Sequence, residues 1–111
     1  MNMVSDELLS AMVDAIVKEV DPQQIILFGS RARGEASPRS DVDLLIVEKE
    51  PFGPARSRWK ESSRVWDLVA RFRIPVDILI YSRDEVERWR SSRSHVIGRA
   101  AREGRSLYER R

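Results

Sequence analysis

Apolar residues at Leu8, Met12, Ile16 and Val20, with a second series at Leu9, Val13 and Val17, step by four and merge into one broad face. That periodicity predicts an amphipathic helix from Ser5 to Val20. Ser5 is placed as its N-cap, Asp6 and Glu7 suit the positive end, and Asp21-Pro22 ends it. Two short runs rich in β-branched residues follow, Ile25 to Phe28 and Val42 to Val47, each bounded by turn residues as strands are when at least one face is buried. Between them lie a Gly29-Ser30 turn, a short predicted helix through Arg31 to Arg33 ending near Gly34, and a loop from Glu35 to Ser40.

Pro51-Phe52-Gly53-Pro54 breaks regular structure and is the segment expected to move beside the site. Ala55 to Arg73 reads as a helix whose apolar face gathers Trp59, Val65, Trp66, Val69 and Phe72. Trp59 stands among Arg56, Arg58 and Lys60, a setting that also suits stacking or docking, but core packing is the expectation. Ile74 to Tyr81 is the third strand, with Pro75 at its start, where a missing N–H is tolerated. Ser82-Arg83-Asp84-Glu85 is a capping box opening a short helix with Val86 and Trp89 inward. A last helix runs from His95 to Glu103, capped by Gly104, and Leu107 and Tyr108 anchor the tail. His95, the lone histidine, stands at a helix start and reads as a cap or surface residue.

At 111 residues the chain is expected to form a single domain, 1–111, with no room for a separate substrate-binding domain. It contains no cysteine, which excludes disulfides, thiol nucleophiles and thiolate metal sites. With no basic leader and no apolar stretch approaching about 18 residues, a soluble, cytoplasmic protein without a membrane span is expected. The net charge of +2 hides an asymmetry: residues 1–51 carry 5 basic and 10 acidic side chains, and residues 52–111 carry 15 basic and 8 acidic. Such a skew can mark a surface for nucleic acid or for an acidic protein. Because the basic residues are interspersed with acids, arginines covering solvated helix faces are the simpler reading.

The chemistry concentrates where the second strand begins. Side chains alternate along a strand, so Asp41 and Asp43 are expected on one side, about 7 Å apart. Two like charges so placed call for a cation or a shared proton. Hard oxygen ligands suit Mg²⁺ or Mn²⁺, and Mg²⁺ is commonly held by one or two carboxylates together with substrate phosphate oxygens. The Gly29-Ser30 turn adds backbone N–H groups and a glycine that lets phosphate approach. Asp77 interrupts an otherwise apolar strand, and joining Asp41 and Asp43 is the nearest explanation for it.

Gly29-Ser30-Arg31-Ala32-Arg33-Gly34, five further residues, then Ser40-Asp41-Val42-Asp43-Leu44 resembles the signature of the minimal nucleotidyltransferases of the polymerase-beta-like superfamily. The ending Arg-Glu-Gly-Arg-Ser-Leu-Tyr-Glu resembles the tails of the same family, so the likeness spans nearly the whole chain. The resemblance implies an α/β (α+β) fold with a small mixed sheet of three to four strands covered by helices. It also implies that Asp77 completes a catalytic and metal-binding triad with Asp41 and Asp43. Gly29, Ser30 and Arg33 would then contact the nucleotide, with Arg31 and Arg39 as further phosphate candidates.

The residues fit two-metal nucleotidyl transfer, in which two Mg²⁺ ions bridge the triphosphate and a hydroxyl displaces pyrophosphate from the α-phosphorus. Nothing in the sequence reads the base; ATP follows from the resemblance. The resemblance further suggests an antitoxin paired with a HEPN-type RNase toxin and transfer of AMP to a hydroxyl of that partner. Two alternatives stay open: an antitoxin that neutralises its partner by contact, and an adenylyltransferase acting on RNA or a small molecule. Direct nucleic-acid binding and the choice between homo- and hetero-oligomer are left open as well.

Overall fold

The computed structural model describes residues 5–29 and 42–110. The expected short helix at 31–33, Gly34 and the loop at 35–40 lie outside the described residues. Helix α1 (Asp6–Val20) starts where its N-cap places it, with the Ser5 hydroxyl accepting from Leu8 N–H at 3.1 Å. Asp21 ends it in the left-handed region (φ 52). Strands β1 (Gln24–Phe28) and β2 (Val42–Glu48) pair antiparallel, and helix α2 (Arg58–Ala70) then carries the chain back to β3 (Val76–Ser82), which lies parallel to β2. A parallel pair requires such a crossover, and α2 supplies it. Helices α3 (Arg83–Trp89) and α4 (Val96–Glu103) follow, and β4 (Arg105–Glu109) pairs antiparallel with β1. The sheet order is β3-β2-β1-β4, a four-stranded mixed sheet.

The period-2 alternation of the strands assigns each residue to one of two layers. Ile25, Leu27, Val42, Leu44, Ile46, Ile78 and Ile80 face α1 and α2 and build the main core with Met12, Ile16, Val65 and Val69. Ile26, Leu45 and Val47 face the other way, with Ala100 of α4 in the same cluster and Leu79, Tyr81 and Val86 packed against it. Asp43 and Asp77 share the parity of this second face, so the fold presents both on the side covered by α3 and α4.

Several boundaries and orientations differ from the sequence expectation. Helix α2 starts after Ser57, whose hydroxyl accepts from Lys60 N–H at 3.2 Å, rather than at Ala55. Trp59 is 78% exposed and is not core. It sits six residues before Val65, which turns it about 120° away from that buried position. Trp66, one residue or about 100° round the helix from Val65, is also exposed, and Leu68 fills the place in the core stripe that the expectation gave to the tryptophans. Trp89, expected inward, is exposed as well and stacks on His95 with centroids 4.8 Å apart. The tail, expected only to anchor through Leu107 and Tyr108, is the fourth strand.

The Pro51–Pro54 segment follows the end of β2, whereas Asp43 stands at its start, so this loop lies about 16 Å along the strand from Asp43 and not beside it. Two guanidinium groups pin it. Arg56 and Arg58 lie over the Phe52 ring at 4.3 and 4.5 Å. Arg58 also donates to Ile80 O at 2.7 Å and pairs with Glu85, while Arg56 pairs with Glu48.

Candidate functional site

Parallel pairing of β2 and β3 puts Asp43 opposite Asp77 in register. Neighbouring strands lie about 4.8 Å apart, and in-register side chains leave the sheet on the same face. Two carboxylates therefore stand side by side at the start of both strands. Asp43 is partly buried and Asp77 is exposed at the sheet edge. Asp77 was expected to join Asp41 and Asp43; it stands opposite Asp43, but exposed at the edge, and Asp41 lies outside the described residues.

Gly29 closes the site from the β1 side. Its φ of +78° is one that side-chain-bearing residues rarely adopt, and a Cβ built there would stand 2.4 Å from Asp43 Oδ2. The carboxylate of Asp43 thus occupies the space that any other residue at position 29 would need. Antiparallel pairing also sets Phe28 directly across from Asp43. Ser30, Arg33 and Asp41, together with Arg31 and Arg39, lie outside the described residues.

Helix α4 contributes residues that the sequence reading did not assign. Phe28, Gly29, Asp43, Val96, Arg99 and Glu103 line a cavity of about 170 Å³. Val96, Arg99 and Glu103 recur at helical spacing, and Arg99 Nε approaches Glu103 Oε2 at 4.0 Å. The i, i+4 spacing of Arg99 and Glu103 is a feature of many solvated helices, and only the docking of α4 on β1 brings the two beside Asp43. His95 caps this helix, with Nδ1 accepting from Ile97 N–H at 3.1 Å, in agreement with its reading as a cap.

Among the described residues no group of three or more histidine, aspartate or glutamate side chains gathers into a metal cluster. Asp43 and Asp77 nevertheless offer paired hard oxygen donors, one of them at an open edge, and this fits a divalent cation that keeps part of its coordination for a substrate. No helix among the described residues is long and apolar enough to cross a membrane.

The profile of the nucleotidyltransferase domain family matches residues 9–96. The chain belongs to that family. This nucleotidyltransferase domain is 40% identical over 57 residues to a Methanocaldococcus jannaschii protein assigned as a protein adenylyltransferase, covering 51% of the chain and 52% of that relative. It is 38% identical over 81 residues to MntA of Haemophilus influenzae, likewise assigned as a protein adenylyltransferase, covering 71% of the chain and 66% of MntA. The chain thus spans about half of the first relative and just under two thirds of the second.

Among solved structures, a Sulfolobus solfataricus protein assigned as a nucleotidyltransferase superposes with a TM-score of 0.58 at 25% identity, covering 94% of this chain and 79% of the other. The complex of a tri-AMPylated Shewanella oneidensis HEPN toxin with an MNT antitoxin gives a TM-score of 0.55 at 17% identity, covering 96% and 74%. At that identity the second likeness speaks for the fold.

Proposed function

We propose that this domain transfers AMP from ATP to a hydroxyl group of a partner protein in a Mg²⁺-dependent reaction, and that the partner is a HEPN-type toxin which the modification silences in the cytoplasm. The observation that carries this reading is the in-register pair Asp43 and Asp77 with Gly29 fitted against the Asp43 carboxylate. The adenylyltransferase assignments of the Methanocaldococcus and Haemophilus relatives support the reaction class. The Shewanella complex is an instance of this fold joined to an AMPylated HEPN toxin and supports the choice of partner.

In this mechanism Asp43 and Asp77, with Asp41 as the third carboxylate, would hold divalent cations together with the triphosphate. Such cations would supply charge neutralisation and lower the pKa of the acceptor hydroxyl. Asp77 stands at the exposed edge, where a protein acceptor can reach it. The missing side chain at Gly29 lets the Asp43 carboxylate lie close to the turn that would receive the phosphates, with Ser30 and Arg33 as their contacts.

Co-expression of the chain with its HEPN-type partner, followed by intact-mass measurement of the partner, tests the proposal. The partner should gain the mass of one or more AMP groups, and the gain should vanish with Asp77→Asn. An unmodified partner in a stable complex with the wild-type chain would contradict it. Trp59, 78% exposed, and Trp66, on the outward face of α2, favour a second reading in which contact alone neutralises the partner.

A further inference from the structure

We propose that the partner presents its acceptor hydroxyl on an extended segment that adds to the outer edge of β3 as a further strand, with the hydroxyl-bearing residue opposite Asp77. This rests on the proposed nucleotidyl transfer and adds to it the way the acceptor is held.

Strand β3 ends the sheet order β3-β2-β1-β4, and among the described residues no strand pairs with its outer side. The parallel register fixes which of its backbone groups point there. Val42 N–H donates to Pro75 O at 2.9 Å. In the parallel ladder that starts with this bond, the N–H and C=O groups of Asp77, Leu79 and Tyr81 turn toward β2, and those of Val76, Ile78 and Ile80 turn away from it. Two hydrogen bonds at the far end agree with this phase. Ile80 O accepts from Arg58 Nη1 at 2.7 Å, and Ser82 N–H donates to Glu85 Oε1 at 2.9 Å.

The edge is therefore closed at one end and open at the other. Arg58, held by its ion pair with Glu85, occupies the carbonyl of Ile80 and stops an added strand from pairing further. A charged side chain is a common way to blunt an exposed edge. Here the block falls beyond Ile78, and the stretch it leaves open, Val76 to Ile78, has Asp77 at its centre.

An unpaired edge recognises peptide backbone, because it offers donors and acceptors at strand spacing and an extended chain answers both. Added and resident strands lie about 4.8 Å apart, and side chains opposite one another leave the sheet on the same face. The residue opposite Asp77 therefore projects onto the face that carries Asp43 and Asp77. The residue two positions along meets Leu79, which is half-buried on that face. The segment that fits has a hydroxyl residue and an apolar residue two apart. A second copy of this chain fits poorly: antiparallel pairing of two such edges sets their Asp77 carboxylates opposite or nearly opposite one another, and like charges so placed are destabilising.

The test is residue-resolved amide exchange by NMR on the full chain, alone and with the proposed HEPN-type partner, read beside transfer of labelled AMP to that partner. Binding should slow exchange at Val76 and Ile78 by about 10-fold or more, and leave Asp77 and Leu79, whose N–H groups already face β2, little changed. Val76→Pro removes one outward N–H at the start of an edge strand, where proline is tolerated. It should label the partner about fivefold or more slowly than Val76→Ala, which keeps that donor. The two variants should bind AMP-PNP with Mg²⁺ equally, which separates a docking defect from a displaced Asp77. Label transfer with unslowed exchange at Val76 and Ile78, or equal transfer by the two variants, would overturn strand addition and leave nucleotidyl transfer standing. Slowed exchange in the free chain that grows with its concentration would assign the edge to a second copy and overturn the proposal as well. A partner left unlabelled by the wild-type chain would remove the acceptor role together with the proposed reaction.

Discussion

The Asp43 carboxylate fills the volume that a side chain at Gly29 would take, with Oδ2 2.4 Å from the place of the missing Cβ. Gly29 follows Phe28, the cross-strand partner of Asp43, so position 29 bears directly on where the Asp43 carboxylate points. Gly29→Ala faces two penalties: the +78° φ, about 1–2 kcal/mol for an L-residue, and collision with a carboxylate. Because that carboxylate is the flexible end of its side chain, it should yield before the fold does. The expected result is a stability loss of about 1–2 kcal/mol by urea denaturation together with a loss of transfer activity of 10-fold or more, about 1.4 kcal/mol. Full activity in the variant would mean that the orientation of Asp43 does not matter.

At the opposite end of β2, Glu48 is buried at 3% exposure with Glu61 and Arg56 around it. Burial, reinforced by the hydrogen bond and charge of Glu61 and opposed by Arg56, pushes the Glu48 carboxyl up to about 7. Glu61 is also raised by burial, but Arg64 and the Glu48 hydrogen bond outweigh that and hold it below its usual value. A raised folded-state value means that the stabilising contribution of Glu48 is complete below its unfolded value of 4.5 and is lost as pH rises through about 7. Wild-type stability should therefore fall between pH 5 and pH 8 by on the order of 2 kcal/mol relative to Glu48→Gln, which does not titrate. Stability of the two proteins that runs in parallel across this range by urea denaturation would contradict a Glu48 carboxyl raised by burial.

Gly98 lies where α4 crosses the turn before it, and a Cβ there would meet Ser92 O at 1.8 Å. Backbone cannot swing aside as a side-chain end can, so Gly98→Ala should displace the segment carrying His95 and Arg99. A destabilisation of about 1–3 kcal/mol is expected, read as a lowered thermal midpoint. A neutral result would show that the turn carrying Ser92 yields to α4 without cost.

Trp59 makes the opposite prediction. At 78% exposure its replacement by alanine should change stability by no more than about 0.5 kcal/mol. If contact through α2 contributes to neutralising the partner, Trp59→Ala and Trp66→Ala together should weaken the complex measurably while leaving the nucleotide affinity of the free chain unchanged. Unaltered affinity for the partner would assign these tryptophans no part in docking.

The elements that proved legible in the sequence were those whose signals are local. The four-residue stepping of α1 and its Ser5 cap, the apolar runs of β1 and β2, the Ser82–Glu85 box and the Gly104 terminus all appear where the residues place them. In the box, Glu85 accepts from Ser82 N–H at 2.9 Å. Asp77 was singled out because a charge interrupts an apolar run, and the register sets it opposite Asp43; its exposure at the edge means that burial is not what calls for that neighbour. Strand β4 was not legible, because Arg-Ser-Leu-Tyr-Glu has neither alternation nor a hydrophobic run and is a strand only through its pairing with β1. Trp59 was misplaced because its size argued for burial while its helical phase argued against it. Arg99 and Glu103 carried no signal of their own in the sequence; only the docking of α4 on β1 brings them beside Asp43.

Asp43 and Asp77 are proposed to act together in nucleotidyl transfer. The most direct test is transfer of labelled AMP from α-phosphate-labelled ATP to the proposed HEPN-type partner, purified, with Mg²⁺, comparing wild type, Asp43→Asn, Asp77→Asn and the double variant. Residues that work as one unit are strongly non-additive, so each single variant should lose nearly all label and the double variant should lose little more. Label transfer that survives Asp43→Asn, or single losses that simply multiply in the double variant, would contradict a joint role for the two carboxylates.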